Sequence, residues 1–195
     1  MTPATYISEV LPRMEGWCSP AKATKLASYA SYARTFVEIG VFGGKSLFAG
    51  ALSQPSGSIA IGIDPWESIP SVEGYDGENA TWWSKIDHEA IYRSCRTFQT
   101  SLDLVRSCFL VRATASEALP LAERFSPIDL LHIDGNHSES ASLHDVTHYV
   151  PLVRLGGIVF FDDLSWETTR RAQEHLARLC RPIDEVDGCG VFERL

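Results

Sequence analysis

The chain has 195 residues, 45% of them apolar, which suits a single globular domain with a full core. Its 17 lysines and arginines against 25 acids leave a formal charge of −8, a sign that repels phosphate backbones and argues against a nucleic-acid partner. No charged and apolar export signal opens the sequence and no apolar run approaches the ~20 residues of a membrane span, so a cytoplasmic protein without membrane contact is expected.

Helices are predicted first, at residues 3–14 and 20–33. Ser19-Pro20 opens the second of them with a capping serine followed by proline at the first helical position. These two helices, the segment 1–34, offer a face for a homodimer. A strand follows at 35–40, a helix at 44–53 and a strand at 58–64. Residues 65–87 then break the rhythm with Pro65, Pro70, Gly74, Gly77 and the aromatics Trp66, Tyr75, Trp82 and Trp83. So long a loop in a compact domain is usually functional, and the aromatics argue against disorder, so the segment reads as a lid or acceptor wall. A subunit contact is the plainer alternative. Beyond it come helix 86–102, strand 108–112, helix 116–125, strand 128–134, helix 138–150, strand 157–162 and helix 166–180. Strands at 182–186 and 190–194 close the chain as an antiparallel hairpin. Runs such as Ile158-Val159-Phe160-Phe161 lack polar alternation, as expected of strands buried on both faces. The sum is an α/β fold: a doubly wound, Rossmann-like, seven-stranded and mostly parallel sheet spanning 1–195 as one domain. The five cysteines are scattered without a CxxC pair, so neither a zinc knuckle nor a disulfide framework is supported.

A ligand loop stands at the end of the first strand, in Val37-Glu38-Ile39-Gly40-Val41-Phe42-Gly43-Gly44. Glycines there let the chain turn tightly, and a helix N-terminus beside them favours an electron-rich group. Asp64 ends the next strand, 24 residues after Gly40, where an acid meets a ribose diol in nucleoside-type sites. The dinucleotide fingerprint fails because Phe42 stands where its second glycine belongs. Gly44-Lys45-Ser46 would end a phosphate loop, but that loop needs glycine where Ile39 stands. A plain strand–helix turn is the remaining bland account.

Two later strands each deliver acids at their C-terminal ends. Ile128-Asp129-Leu130-Leu131-His132-Ile133 leads into Asp134-Gly135-Asn136-His137, and Gly157-Ile158-Val159-Phe160-Phe161 leads into Asp162-Asp163. If the strands are neighbours, Asp134, Asp162 and Asp163 converge, and three carboxylates need a cation between them. All-oxygen ligands would suit Mg²⁺, Mn²⁺ or Ca²⁺. His132 lies mid-strand and reads as core, and His144-Asp145-Val146-Thr147-His148 reads as a helix surface rather than a zinc helix.

With these motifs, roughly from Thr35 to Trp166, the chain resembles the class I, S-adenosylmethionine (SAM)-dependent methyltransferases. It is most similar to the metal-dependent small-molecule O-methyltransferases: the catechol and caffeoyl-CoA types and, more closely, the macrocin O-methyltransferase and cephalosporin hydroxylase-like group. The resemblance implies SAM held by Glu38, Gly40, Gly43, Gly44, Ser46, Asp64, Ser116, Glu117 and Asp134, with Asp64 on the ribose and Ala115-Ser116-Glu117 beside the adenine. It implies a divalent metal, Mg²⁺ foremost, on Asp134, Asp162 and Asp163. His137 falls where the catechol type carries its catalytic lysine, and a neutral imidazole there would accept the proton of a hydroxyl on a small-molecule acceptor such as a sugar or catechol. A solvent-exposed loop histidine is the bland alternative. A hydroxylase-like relative on the same scaffold and a SAM-binding regulatory protein without turnover are the rival readings.

Overall fold

The computed structural model describes residues 1–74 and 77–195. A short helix α1 (Pro3–Thr5), a π turn (Tyr6–Val10) and a 3-10 turn (Leu11–Arg13) lead into α2 (Pro20–Ala30). Then come β1 (Thr35–Ile39), α3 (Lys45–Ser53), β2 (Ile59–Asp64), α4 (Ser68–Val72), α5 (Gly77–Ser84), α6 (His88–Ser101), β3 (Cys108–Arg112) and α7 (Ala115–Arg124). The chain ends with β4 (Ile128–Ile133), α8 (Glu139–Tyr149), β5 (Val153–Phe161), α9 (Arg170–Leu179), β6 (Cys180–Val186) and β7 (Cys189–Arg194).

The seven strands form one sheet in the order β3-β2-β1-β4-β5-β7-β6. The pairs β1–β2, β2–β3, β1–β4 and β4–β5 are parallel, while β7 runs antiparallel to both β5 and β6. Successive side chains of a strand point to opposite faces, and both faces here are covered. Phe36, Leu130 and Phe160 join Leu26, Phe48 and Tyr6 on one side. Val37, Leu131 and Val159 join Ala118, Val146 and Leu176 on the other. That double burial is why β1, β4 and β5 carry no polar alternation.

Three predicted elements change form. The first helix breaks because Pro12 has no N–H for an α-helical bond and its ring crowds the preceding turn, so the chain tightens to 3-10. β5 starts at Val153, four residues early, since Val153 pairs with Ile128 before a register shift in β4. The segment 65–87 holds two short helices, α4 and α5, instead of a loop; Tyr75 of its aromatic set lies outside the described residues. Among the described residues no helix is long and apolar enough to cross a membrane.

Sheet order fixes where a ligand goes. From β1 the chain winds outward through β2 and β3, then returns to place β4 on the other side of β1. The connections leaving β1 and β4 therefore part in opposite directions, opening a crevice at their C-terminal ends.

Candidate active site

The backbone ladders carry past the strand ends: Gly40 N–H donates to Ile63 O at 2.9 Å, Asp134 N–H to Ile39 O at 2.8 Å and Asp162 N–H to Ile133 O at 3.0 Å. This puts Gly40, Asp134 and Asp162 in one row at the crevice. A cavity of about 1130 Å³ opens above them, with Gly40, Gly43, Ser46, Asp64, Ser116, Asp134, His137, Asp162 and Asp163 among its lining.

Three residues predicted to touch the cofactor do not line that cavity: Glu38, Gly44 and Glu117. Glu38 is wholly buried, accepts a hydrogen bond from Ser46 Oγ at 3.0 Å and lies 2.8 Å from His132 Nδ1. It holds the loop from beneath. Gly44 caps α3 with φ 90°, and the place of a Cβ is taken by the Phe48 ring. Glu117 closes a capping box with Thr114, spending its carboxylate on the start of α7.

The other loop glycines face protein too. A Cβ on Gly40, whose φ is +84°, would lie 1.9 Å from the carbonyl oxygen of Asp134, and one on Gly43 would lie 2.2 Å from that of Glu15. Glycine at 40 therefore lets the loop leaving β1 lie against Asp134 beyond the end of β4, while its backbone still lines the cavity. Asp64 does more than face a ribose. Its Oδ2 accepts the amides of Val41 (3.0 Å) and Phe42 (2.8 Å), and its Oδ1 accepts that of Trp66 (2.7 Å). Burial pushes its carboxyl above the usual range, and these amides oppose that shift. Trp66, buried with its indole N–H on Phe42 O at 2.9 Å, belongs to the core under the loop and not to the wall.

The wall is made by Trp82 and Trp83 of α5 together with Trp17 and Phe42. Ring centroids lie 5.1 Å apart for Trp17–Trp82, 5.0 Å for Trp82–Trp83 and 5.7 Å for Phe42–Trp83. Asn136 ties α4 to the end of β4, its Nδ2 donating to Pro70 O (3.0 Å) and Glu73 O (2.8 Å). The wall and His137 line the same cavity.

His137 is not a solvent-exposed loop residue. Its Nδ1 lies 2.7 Å from Asp163 Oδ2, its Nε2 lies 3.6 Å from Asp134 Oδ1, and its ring meets the edge of Trp166 at 5.2 Å. Burial opposes charge on the ring, but the two carboxylates outweigh it and push its pKa up to about 9. The resting imidazole is therefore cationic at neutral pH, where a neutral one is expected from sequence.

The acids converge, but the cation among them is Lys22. Its ammonium pairs with Asp134 Oδ2 at 3.2 Å and with Asp162 Oδ2. Asp163 turns instead to His137, so the three predicted carboxylates do not surround one point. His132, Asp134 and Asp162 do present one ligand atom each within 4.8 Å of one another, yet the lysine is bonded to both acids of that set. Two side-chain cations thus answer three carboxylates at this strand end. Sequence reasoning missed Lys22, although a cation in the first turn of a helix runs against the dipole and flags a compensating acid. It missed Asp145 as well: read as helix surface, this residue is buried, lines the cavity and lies 3.2 Å from His144 Nδ1.

Residues 37–164 match the family model described as a methyltransferase domain, more than half of the chain. The chain belongs to this methyltransferase family. No curated protein matches the sequence of this methyltransferase. Its fold matches an O-methyltransferase from Bacillus cereus in complex with SAH, with TM-score 0.68 and 14% identity over 98% of this chain and 90% of that one. It also matches TomG from Streptomyces achromogenes, an O-methyltransferase involved in tomaymycin synthesis and in complex with SAM, with TM-score 0.67 and 17% identity over 92% and 81% of the two chains. The O-methyltransferase NovP gives TM-score 0.67 and 20% identity over 90% and 80%. At these identities the likeness is one of fold.

Proposed function

We propose that this methyltransferase moves the methyl group of SAM to a hydroxyl oxygen of a small molecule. The reading rests on one observation: a single cavity joins the β1 loop, Asp64 and Ser116 to Asp134, His137 and the aromatic wall. A nucleoside-bearing cofactor and an acceptor fit side by side in such a space. SAM supplies an electrophilic methyl on a positively charged sulfur. The cluster formed by Asp134, Asp162, Asp163, Lys22 and His137 carries one more negative than positive charge, which complements that sulfur.

In this reading the backbone of Gly40–Gly43, Ser46, Asp64 and Ser116 hold the cofactor, and Trp17, Trp82 and Trp83 give the acceptor a flat apolar face. His137 is the base. Asp163 holds the ring at Nδ1, and Nε2, on the Asp134 side, takes the hydroxyl proton as the new C–O bond forms. His137 must first lose the proton that Asp134 and Asp163 stabilise, and it does so more readily when another positive charge shares the cavity. Divalent metal is not part of this reading, because Lys22 holds Asp134 and Asp162.

The test is incubation with SAM and a panel of sugars, catechols and other hydroxylated metabolites, read by mass spectrometry. A product one CH₂ heavier than its acceptor, with loss of SAM, is expected. A product one oxygen heavier would point to the hydroxylase-like alternative, and unchanged acceptors with tight SAM binding to a regulatory one.

A further inference from the structure

The resemblance to metal-dependent O-methyltransferases implies a divalent ion on Asp134, Asp162 and Asp163, and the question is whether these residues fit one. They do not. Lys22 is buried, at 4% exposure, and its ammonium is bonded to both Asp134 and Asp162. It stands in the first turn of α2, its own N–H capped by Ser19 Oγ at 3.0 Å. A cation there opposes the helix dipole and loses its water, so the placement holds only because two carboxylates repay it. Asp134 and Asp162 both keep Lys22 charged, well above the ordinary lysine range, despite the burial. A divalent ion between the same oxygens would meet a fixed positive charge at contact distance.

We propose that Lys22 is the resident cation of this methyltransferase, replacing a divalent metal at Asp134 and Asp162 and making the site metal-independent. Lys22 is then a positioning residue. It balances the two acids and holds Asp134 facing His137. The proposal also accounts for Asp163, which pairs with His137 and, among the described residues, joins no ligand set. It further predicts what the lysine conceals. Without its ammonium, His132 Nε2, Asp134 and Asp162 become a nitrogen-and-oxygen ligand set, of the kind that takes Mn²⁺ or Co²⁺.

The proposal rests on the site being a methyltransferase site, but its test needs no turnover, so it fails or stands apart from the assignment of methyl transfer to oxygen. Mn²⁺ binding is measured by electron paramagnetic resonance on the wild-type protein and on Lys22→Ala, Lys22→Met and Asp162→Asn. Wild type is expected to show no site below millimolar Mn²⁺, and its melting temperature should not change with Mn²⁺ or chelator. Lys22→Ala is expected to gain a site at least tenfold tighter, lost again in Lys22→Ala/Asp162→Asn. Micromolar binding by wild type that disappears in Asp162→Asn overturns the proposal, and that arm stands even if the lysine variants fail to fold. Folded Lys22→Ala and Lys22→Met that both bind no Mn²⁺ overturn it too, since the lysine would then occupy no metal position.

Discussion

His137 owes its properties to its neighbours more than to its own chemistry. Asp163 at 2.7 Å and Asp134 at 3.6 Å overcome burial and set its proton affinity near pH 9. A base is active only in its neutral form, so the neutral fraction grows as pH rises toward 9 and shrinks below it. In the acceptor assay kcat/KM is expected to climb by roughly tenfold per pH unit over the acid limb and to level off at an alkaline midpoint. His137→Ala should lower turnover by ~10²–10⁴ and remove that limb, with little change in SAM affinity. Asp163→Asn should move the midpoint down, because it removes one of the two carboxylates that stabilise the proton. NMR titration of the His137 ring offers a check that needs no acceptor. SAM, with a charged sulfur, should depress the midpoint more than SAH, whose sulfur is neutral. Equal midpoints with both ligands, or a flat rate profile in an active enzyme, would return His137 to a structural part.

At the scale of elements, the loop after β1 is held by side chains that approach it from below and beside. Asp64 accepts three of its neighbourhood's amides, and Glu38 holds Ser46. Asp64→Ala is expected to keep the fold but free the Val41–Phe42 turn, weakening SAM binding by at least tenfold in calorimetric titration, since the loop must then be ordered on binding. Gly40→Val is a poorer probe: its side chain would strike the Asp134 carbonyl, so lost stability is expected before lost affinity. The strands and the acids at their ends were legible in the sequence because burial on both faces leaves apolar runs such as Ile158-Val159-Phe160-Phe161 of β5. The local Ser19-Pro20 motif likewise marks where α2 begins. What stayed hidden depends on contacts distant in sequence. Lys22 meets Asp134 and Asp162 across 112 and 140 residues. The division of Trp66 into the core, and of Trp82 and Trp83 into the wall, likewise follows from packing that no local pattern records.

Over the whole molecule, the sheet is tied together at both ends. Opposite the cavity, Asp129 of β4 accepts the amides of Arg34 (2.8 Å) and Thr35 (3.0 Å) at the start of β1, and pairs with Arg154 of β5 at 2.7 Å. Partial burial works to raise its carboxyl, but Arg154 and the two amides prevail and lower it. A carboxyl depressed in the folded state contributes stability above its unfolded pKa, and that contribution fades as pH falls below about 4. Asp129→Asn should therefore be less stable than wild type at pH 7, with the gap closing in acid; a constant gap in urea unfolding would contradict this linkage. The cavity end gives the broader test, because its row of Gly40, Asp134 and Asp162 draws on three strands at once. A ligand that binds only the native state stabilises the whole fold, by about 2.7 kcal/mol at a concentration of 100 Kd. In a domain of this size each kcal/mol is worth about 2–4 °C. SAM and SAH at such concentrations should thus raise the melting temperature by about 5–11 °C, while NAD and ATP leave it unchanged. Chelator should not diminish the rise, since Lys22 supplies the charge between Asp134 and Asp162. Stabilisation by ATP alone would reopen the phosphate-loop reading of Gly44-Lys45-Ser46, and a SAM effect abolished by chelator would return a metal to the site.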